Sequence, residues 1–207
     1  MKSIIWDFDD TLANSYPGIV AATQKSLREN FGIRLSKDTI FKESKKTSVR
    51  KFVTELLQDQ ADVQQAVELF YKSYFQYEKG YHDKITLIPH VMQVLKYCDE
   101  KNYSQFIITH RDQSIYDLAK SLEIDHFFKE VISVEDGHKR KPDPEMLDYL
   151  INKYNLDKND LWVIGDRQID VDFGNSVGAH TILLKSEDVD FKYEYKVSDV
   201  LEIENII

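Results

Sequence analysis

One cysteine, four prolines and seven glycines are spread over 207 residues, and no apolar run is longer than four. Each shortage excludes something. The lone Cys98 can form neither an internal disulfide nor a cysteine-based zinc cluster, which agrees with a reducing compartment. The longest apolar stretches, Ile19 to Ala22 and Leu161 to Ile164, fall far short of the ~20 residues that span a bilayer. The opening Met1-Lys2-Ser3-Ile4-Ile5-Trp6 runs straight into acids, too short an apolar segment for a secretory signal, so a cytoplasmic protein is expected. No repeat, linker or low-complexity tract punctuates the chain. Basic residues are also in deficit: 27 Lys and Arg against 36 Asp and Glu leave a net charge of -9, which disfavours a polyanionic nucleic acid as partner. One stretch runs the other way. Lys37, Lys42, Lys45, Lys46, Arg50 and Lys51 meet only Asp38 and Glu43 between positions 37 and 51. That excess is either a solvated helix face or a surface turned toward a small anion.

What is present supports a substantial core, with 42% hydrophobic and 12% aromatic residues. At roughly 150 residues per domain the length suits one domain with an insertion. The first 85 or so positions read as helical. Asn14, Ser15 and Pro17 open a helix whose apolar residues Val20, Leu27 and Phe31 recur at helical spacing up to Gly32. Val63, Val67, Phe70, Tyr74, Tyr77 and Tyr81 mark one face of a long helix closing at Gly80, and its tyrosines are expected in the core. Beyond residue 85, short apolar runs at Phe106–Ile108, Val131–Val134, Leu161–Ile164 and Thr181–Leu184 alternate with amphipathic helices. With Ser3–Trp6 they make about five strands too apolar to face water on either side. The expected fold is therefore α/β: a Rossmann-like parallel sheet sandwiched by helices, formed by residues 1–14 and 83–207, with the helices of 15–82 inserted after strand one.

Ligands of open parallel sheets bind beyond the carboxyl ends of the strands. Ile4-Ile5-Trp6 leads into Asp7, Phe8, Asp9, Asp10 and Thr11; Phe106-Ile107-Ile108 into Thr109, His110 and Arg111; Trp162-Val163-Ile164 into Gly165, Asp166, Arg167 and, further on, Asp170. Asp7, Asp9 and Asp166 gathered in one crevice would repel one another, which implies a divalent cation among them. Oxygen donors without Cys or His suit Mg²⁺, completed by a substrate phosphate. Asp7 and Asp9, two apart on an extended chain, share a side, so one can attack while the other moves a proton. Thr109 offers a hydroxyl and Lys141, stiffened by Pro142 and Pro144, a fixed positive charge for the phosphate oxygens.

These residues carry a resemblance. Asp7-Phe8-Asp9-Asp10-Thr11-Leu12, Thr109, Lys141-Pro142, and Gly165-Asp166 with Asp170 resemble, in order, the four motifs of the haloacid dehalogenase superfamily of phosphohydrolases, in the branch of phosphoglycolate phosphatase and β-phosphoglucomutase. The first string alone arises by chance in on the order of a few per cent of chains this long. Four in sequence are far more specific. The resemblance implies a Mg²⁺-dependent phosphatase for a small phosphomonoester. Asp7 would be the nucleophile that forms an aspartyl phosphate and Asp9 the general acid and base; Asp7, Asp166 and Asp9, through its backbone carbonyl, would hold the metal, with Asp170 behind them. Residues 15–82 would be a mobile cap that closes over the substrate. Asp9 is the second acid that the dehalogenating members lack, so phosphoryl chemistry is implied.

Three positions depart from the family pattern. Asp10 stands where glycine is common, His110 where asparagine is common, and Arg167 where serine or threonine is common. His110 reads either as a substrate contact or as a loop hydrogen-bonder. Arg167 reads as a substrate contact or as an ion-pair partner of Asp10 or Asp170. Thr47 to Arg50 are expected in an interhelical loop, with Arg50 a candidate for a second anionic group on the substrate. Two alternatives to hydrolysis stand beside it: a phosphomutase using the same intermediate, and a non-catalytic binding or regulatory module on the same fold.

Overall fold

A computed structural model describes residues 1–185 and 189–207. The chain divides into two compact units, Met1–Asn14 with Thr86–Ile207, and Ser15–Ile85.

The first unit is built on a six-stranded sheet in the order β5-β4-β1-β6-β7-β8, with every neighbouring pair parallel. Its strands are β1 (Ser3–Trp6), β4 (Ser104–Ile108), β5 (Glu130–Ile132), β6 (Leu161–Gly165), β7 (His180–Leu184) and β8 (Tyr195–Val197). β1, β4 and β6 are buried along their whole length, as strands covered on both faces must be. Ile5, Phe106, Ile108 and Val163 share one core cluster with Leu147 and Leu150 of α7 (Glu145–Tyr154) and Phe173 of α8 (Gln168–Asn175). α5 (Val91–Glu100) and α6 (Ser114–Ser121) complete the helices of this unit. Two buried polar groups inside the sheet satisfy each other: Trp6 Nε1 donates to Gln105 Oε1 at 3.2 Å, and Gln105 Nε2 donates to the Leu95 carbonyl at 3.1 Å.

This unit holds two elements that the apolar pattern does not reveal, one in the six-stranded sheet and one in a separate two-stranded sheet. β8 lies at the edge with Tyr195 exposed, so it has no run of buried residues. The other is a ladder of two residues a side, β2 (Ala13–Asn14) against β3 (Thr86–Leu87).

In the second unit, α1 (Tyr16–Phe31) begins with Pro17 in its first turn and ends at Gly32, whose φ of 67° lets its N–H return to the Arg28 carbonyl. α2 (Lys37–Lys46), α3 (Val49–Leu56) and α4 (Val63–Lys79) are capped by Ser36, Ser48 and Asp62, whose side chains accept from Thr39, Lys51 and Gln65 N–H. Ile19, Leu27, Ile40, Val53 and Phe70 form its core. Tyr74 is buried and stacks on Phe70 at 5.6 Å, whereas Tyr77 and Tyr81 are half-buried. The Ser48 cap starts α3 earlier than expected, so Arg50 is helical rather than in a loop; it is exposed and lies over the Tyr71 ring.

Among the described residues, no helix is long and apolar enough to cross a membrane.

Candidate active site

β1 is central, flanked by β4 and β6, and the three end within one residue of one another. Trp6 pairs with Ile107 and with Ile164. The next amide, Asp7 N–H, still donates to the Ile164 carbonyl at 2.9 Å, while Thr109 N–H donates to Ile132 at 3.0 Å. Strand order reverses here, since the chain fills one side with β4 and β5 and the other with β6 to β8. Asp7, Thr109 and Asp166 therefore emerge at the crevice where such sheets bind ligands.

Five charged side chains meet there. Lys141 Nζ lies 2.7 Å from Asp7 Oδ1 and 2.7 Å from Asp170 Oδ1, and none of the three side chains is more than 2% exposed. The other Asp170 oxygen accepts from Arg167 N–H at 3.3 Å, so both of its oxygens are engaged. Asp166 Oδ1 is 3.9 Å from Arg167 Nε. Gly165 makes this approach possible, because a Cβ there would sit 2.3 Å from Asp170 Cβ. Burial pushes the Asp7 carboxyl up to about 7, outweighing the pull of Lys141. Asp170 also loses solvation, but Lys141 and Arg167 outweigh that and hold it below the usual carboxylate range. Lys141, which burial alone would depress, is held above its ordinary value by Asp170 and Asp7. One ammonium is thus shared by two acids at equal distance.

Asp7, Asp166 and Asp170 each offer an oxygen within 4.8 Å of one another. Asp7 Oδ2 is sealed from solvent and has no hydrogen-bond partner among the described residues. Three buried carboxylates gather here against Lys141 and Arg167. An oxygen-only donor set with an orphaned carboxylate oxygen fits a hard divalent cation such as Mg²⁺. The third carboxylate of the group is Asp170, not Asp9. The Asp9 side chain is held by Arg111, whose Nη2 and Nε both donate to its Oδ1, at 2.6 and 3.2 Å.

The remaining expected residues fall as follows. Thr109 is fully buried, and its Oγ1 accepts from Arg111 N–H at 3.1 Å. His110 has its Nε2 sealed from solvent without a hydrogen-bond partner among the described residues; burial, then the charges of Lys141, Arg140 and Arg167, push it far below the ordinary histidine range, which favours its neutral form. Asp10 takes a left-handed φ of 63° and donates its N–H to the Ala13 carbonyl at 2.7 Å, a conformation aspartate tolerates better than most residues. Arg167 approaches Asp166 and Asp170. Arg50 belongs to the helical unit. Arg111 was not expected. A basic residue after Thr109-His110 at a strand end is the signal, but its spacing does not say which acid it reaches.

A family model described as haloacid dehalogenase-like hydrolase matches residues 4–184. The chain belongs to that family. As a haloacid dehalogenase-like hydrolase it is 22% identical to a phosphoglycolate phosphatase of Aliivibrio fischeri, over 89% of this chain and 84% of that one. It is 24% identical to the pyrophosphatase PpaX of Bacillus pumilus, over 98% and 96%. Among solved structures, a haloacid dehalogenase-like family hydrolase from Streptococcus pneumoniae superposes with a TM-score of 0.78 at 22% identity, covering 100% of this chain and 98% of that one. A hydrolase from Pseudomonas syringae does so at 0.82 and 21% identity, over 99% and 97%. Both share the fold described above.

Proposed function

We propose that this hydrolase is a Mg²⁺-dependent phosphatase acting on a small phosphomonoester through an aspartyl phosphate on Asp7. One observation carries the reading: Asp7 is buried against Lys141 with its second oxygen orphaned, beside Asp166 and Asp170. An orphaned carboxylate at a strand end is poorly suited to stability and well suited to attack and metal binding.

Asp7 attacks phosphorus and the ester P–O bond breaks. Asp9 delivers a proton to the departing oxygen and then takes one from the water that attacks the phosphoenzyme, so that the P–O bond to Asp7 breaks and inorganic phosphate leaves. Lys141 and the Thr109 hydroxyl meet the charge on the phosphoryl oxygens. Asp7, Asp166 and the Asp9 backbone carbonyl would hold Mg²⁺, while Asp170, with both oxygens engaged, orients Lys141. Bound Mg²⁺ supplies charge neutralisation for the phosphoryl group. His110, neutral and with an unsatisfied Nε2, is suited to hydrogen-bond a phosphoryl oxygen. In this reading Arg167 braces the two acids beside it, and the helical unit Ser15–Ile85 is the cap that selects the substrate, with Arg50 a candidate contact.

The test is a hydrolysis screen of phosphorylated metabolites with Mg²⁺, phosphoglycolate and pyrophosphate included because relatives bear those names. Released phosphate is the readout, and Asp7→Asn is expected to abolish it. Wild-type release that survives Asp7→Asn removes Asp7 as nucleophile. Conversion to an isomeric phosphoester without phosphate release marks a mutase instead.

A further inference from the structure

Asp9 sits in a short turn in which Leu12 and Ala13 N–H both return to the Phe8 carbonyl at 3.0 Å and Asp10 is left-handed. Arg111 holds the Asp9 carboxylate from the loop that follows β4. Its backbone is fixed at both ends, with Arg111 N–H on Thr109 Oγ1 at 3.1 Å and its carbonyl accepting Val134 N–H at 3.0 Å. Its guanidinium is 5.7 Å from the centroid of the Phe8 ring, and its side chain is only 5% exposed. From that position two of its nitrogens close on the same oxygen of Asp9. Charge-assisted contacts from a rigid planar fork fix direction as well as distance, which a lysine ammonium does not reproduce.

We propose that Arg111 is a positioning residue for the proton-transfer step: it aims the Asp9 carboxylate and, through its backbone, ties that aim to the Thr109 hydroxyl. The inference rests on the phosphatase reading, in which Asp9 protonates the leaving oxygen. It goes beyond that reading by assigning a residue that touches neither phosphate nor metal to the general acid.

An alkyl phosphate needs a proton on its departing oxygen far more than an aryl phosphate does, so the two esters separate aim from mere stability. The experiment compares kcat and KM of wild type, Arg111→Ala, Arg111→Lys, Asp9→Asn and the Asp9→Asn/Arg111→Ala double variant on phosphoglycolate and on p-nitrophenyl phosphate. Misplacing a general acid is expected to lower kcat on the alkyl ester roughly 10- to 100-fold. The loss on the aryl ester should stay below about fivefold, KM should move less than about threefold, and Arg111→Lys should recover part of the loss. In the Asp9→Asn background Arg111→Ala should cost nothing further, since its target is already gone. Equal losses on both esters, or additive losses in the double variant, overturn the inference and leave the phosphatase reading intact. If Arg111→Ala does not fold by circular dichroism, Arg111→Lys carries the same ester comparison. Wild type inactive on both esters and on every phosphoester of the screen removes the reading and the inference together.

Discussion

Replacing Lys141 by methionine keeps the length and bulk of the side chain and deletes its charge. Two carboxylates then lose a bond of 2.7 Å each in a place almost closed to water. Breaking a buried charge group by removing one partner costs about 3–5 kcal/mol. The sign of its pH dependence follows from the two acids. Asp7 has a folded value raised from 3.8 to about 7, so its contribution is fully present below about 3.8 and is lost as pH rises through about 7. Without Lys141, which pulls that value down, the loss extends to higher pH. Asp170 is held low, so its contribution is present above the unfolded value; removing Lys141 cancels most of it at neutral pH. Both effects enlarge the deficit of the variant as pH rises, at up to about 1.4 kcal/mol per pH unit for each proton involved. Urea unfolding of the metal-free protein at about pH 5 and about pH 8 measures it. We expect the Lys141→Met deficit to be larger at the higher pH by about 1–3 kcal/mol. An equal deficit at both would refute the shared-ammonium account.

Gly165→Ala places a Cβ within 2.3 Å of Asp170 Cβ, so the carboxylate that orients Lys141 must move. Overpacking of that size costs about 1–3 kcal/mol, and a displacement near 1 Å in the site about 100-fold in kcat, both readable on the purified variant; near wild-type turnover would contradict the role of Asp170. Protons compete with metal for Asp7 below about 7. The rise in melting temperature on adding Mg²⁺ is therefore expected to be greater near pH 8 than near pH 5.5, and to disappear in Asp166→Ala. A shift independent of pH would exclude Asp7 from the ligands.

The apolar runs make the central sheet legible, because β1, β4 and β6 are buried along their whole length and each carries an uninterrupted apolar run, Ile4–Trp6, Phe106–Ile108 and Leu161–Ile164. Strand-end residues Asp7, Thr109 and Asp166 are legible for the same reason: where the run stops, the crevice begins. β8 escapes because an edge strand half open to water, with Tyr195 exposed and Lys196 beside it, carries no such signature. Arg50 is misplaced because a helix start depends on one serine hydroxyl reaching the Lys51 amide. The pairing of Asp9 with Arg111, and the place of Asp170 beside Asp7, are long-range choices. Spacing shows that acids and bases share a rim, but side-chain reach decides which of them meet.

The most direct test of the covalent role of Asp7 is rapid quenching of the enzyme during turnover with Mg²⁺ and a substrate from the screen, followed by peptide mass analysis. The account predicts a phosphoryl group on the peptide containing Asp7, formed as fast as turnover and absent from Asp7→Asn. Full turnover with that peptide unmodified at every time point, or with the phosphoryl group on another residue, would contradict it.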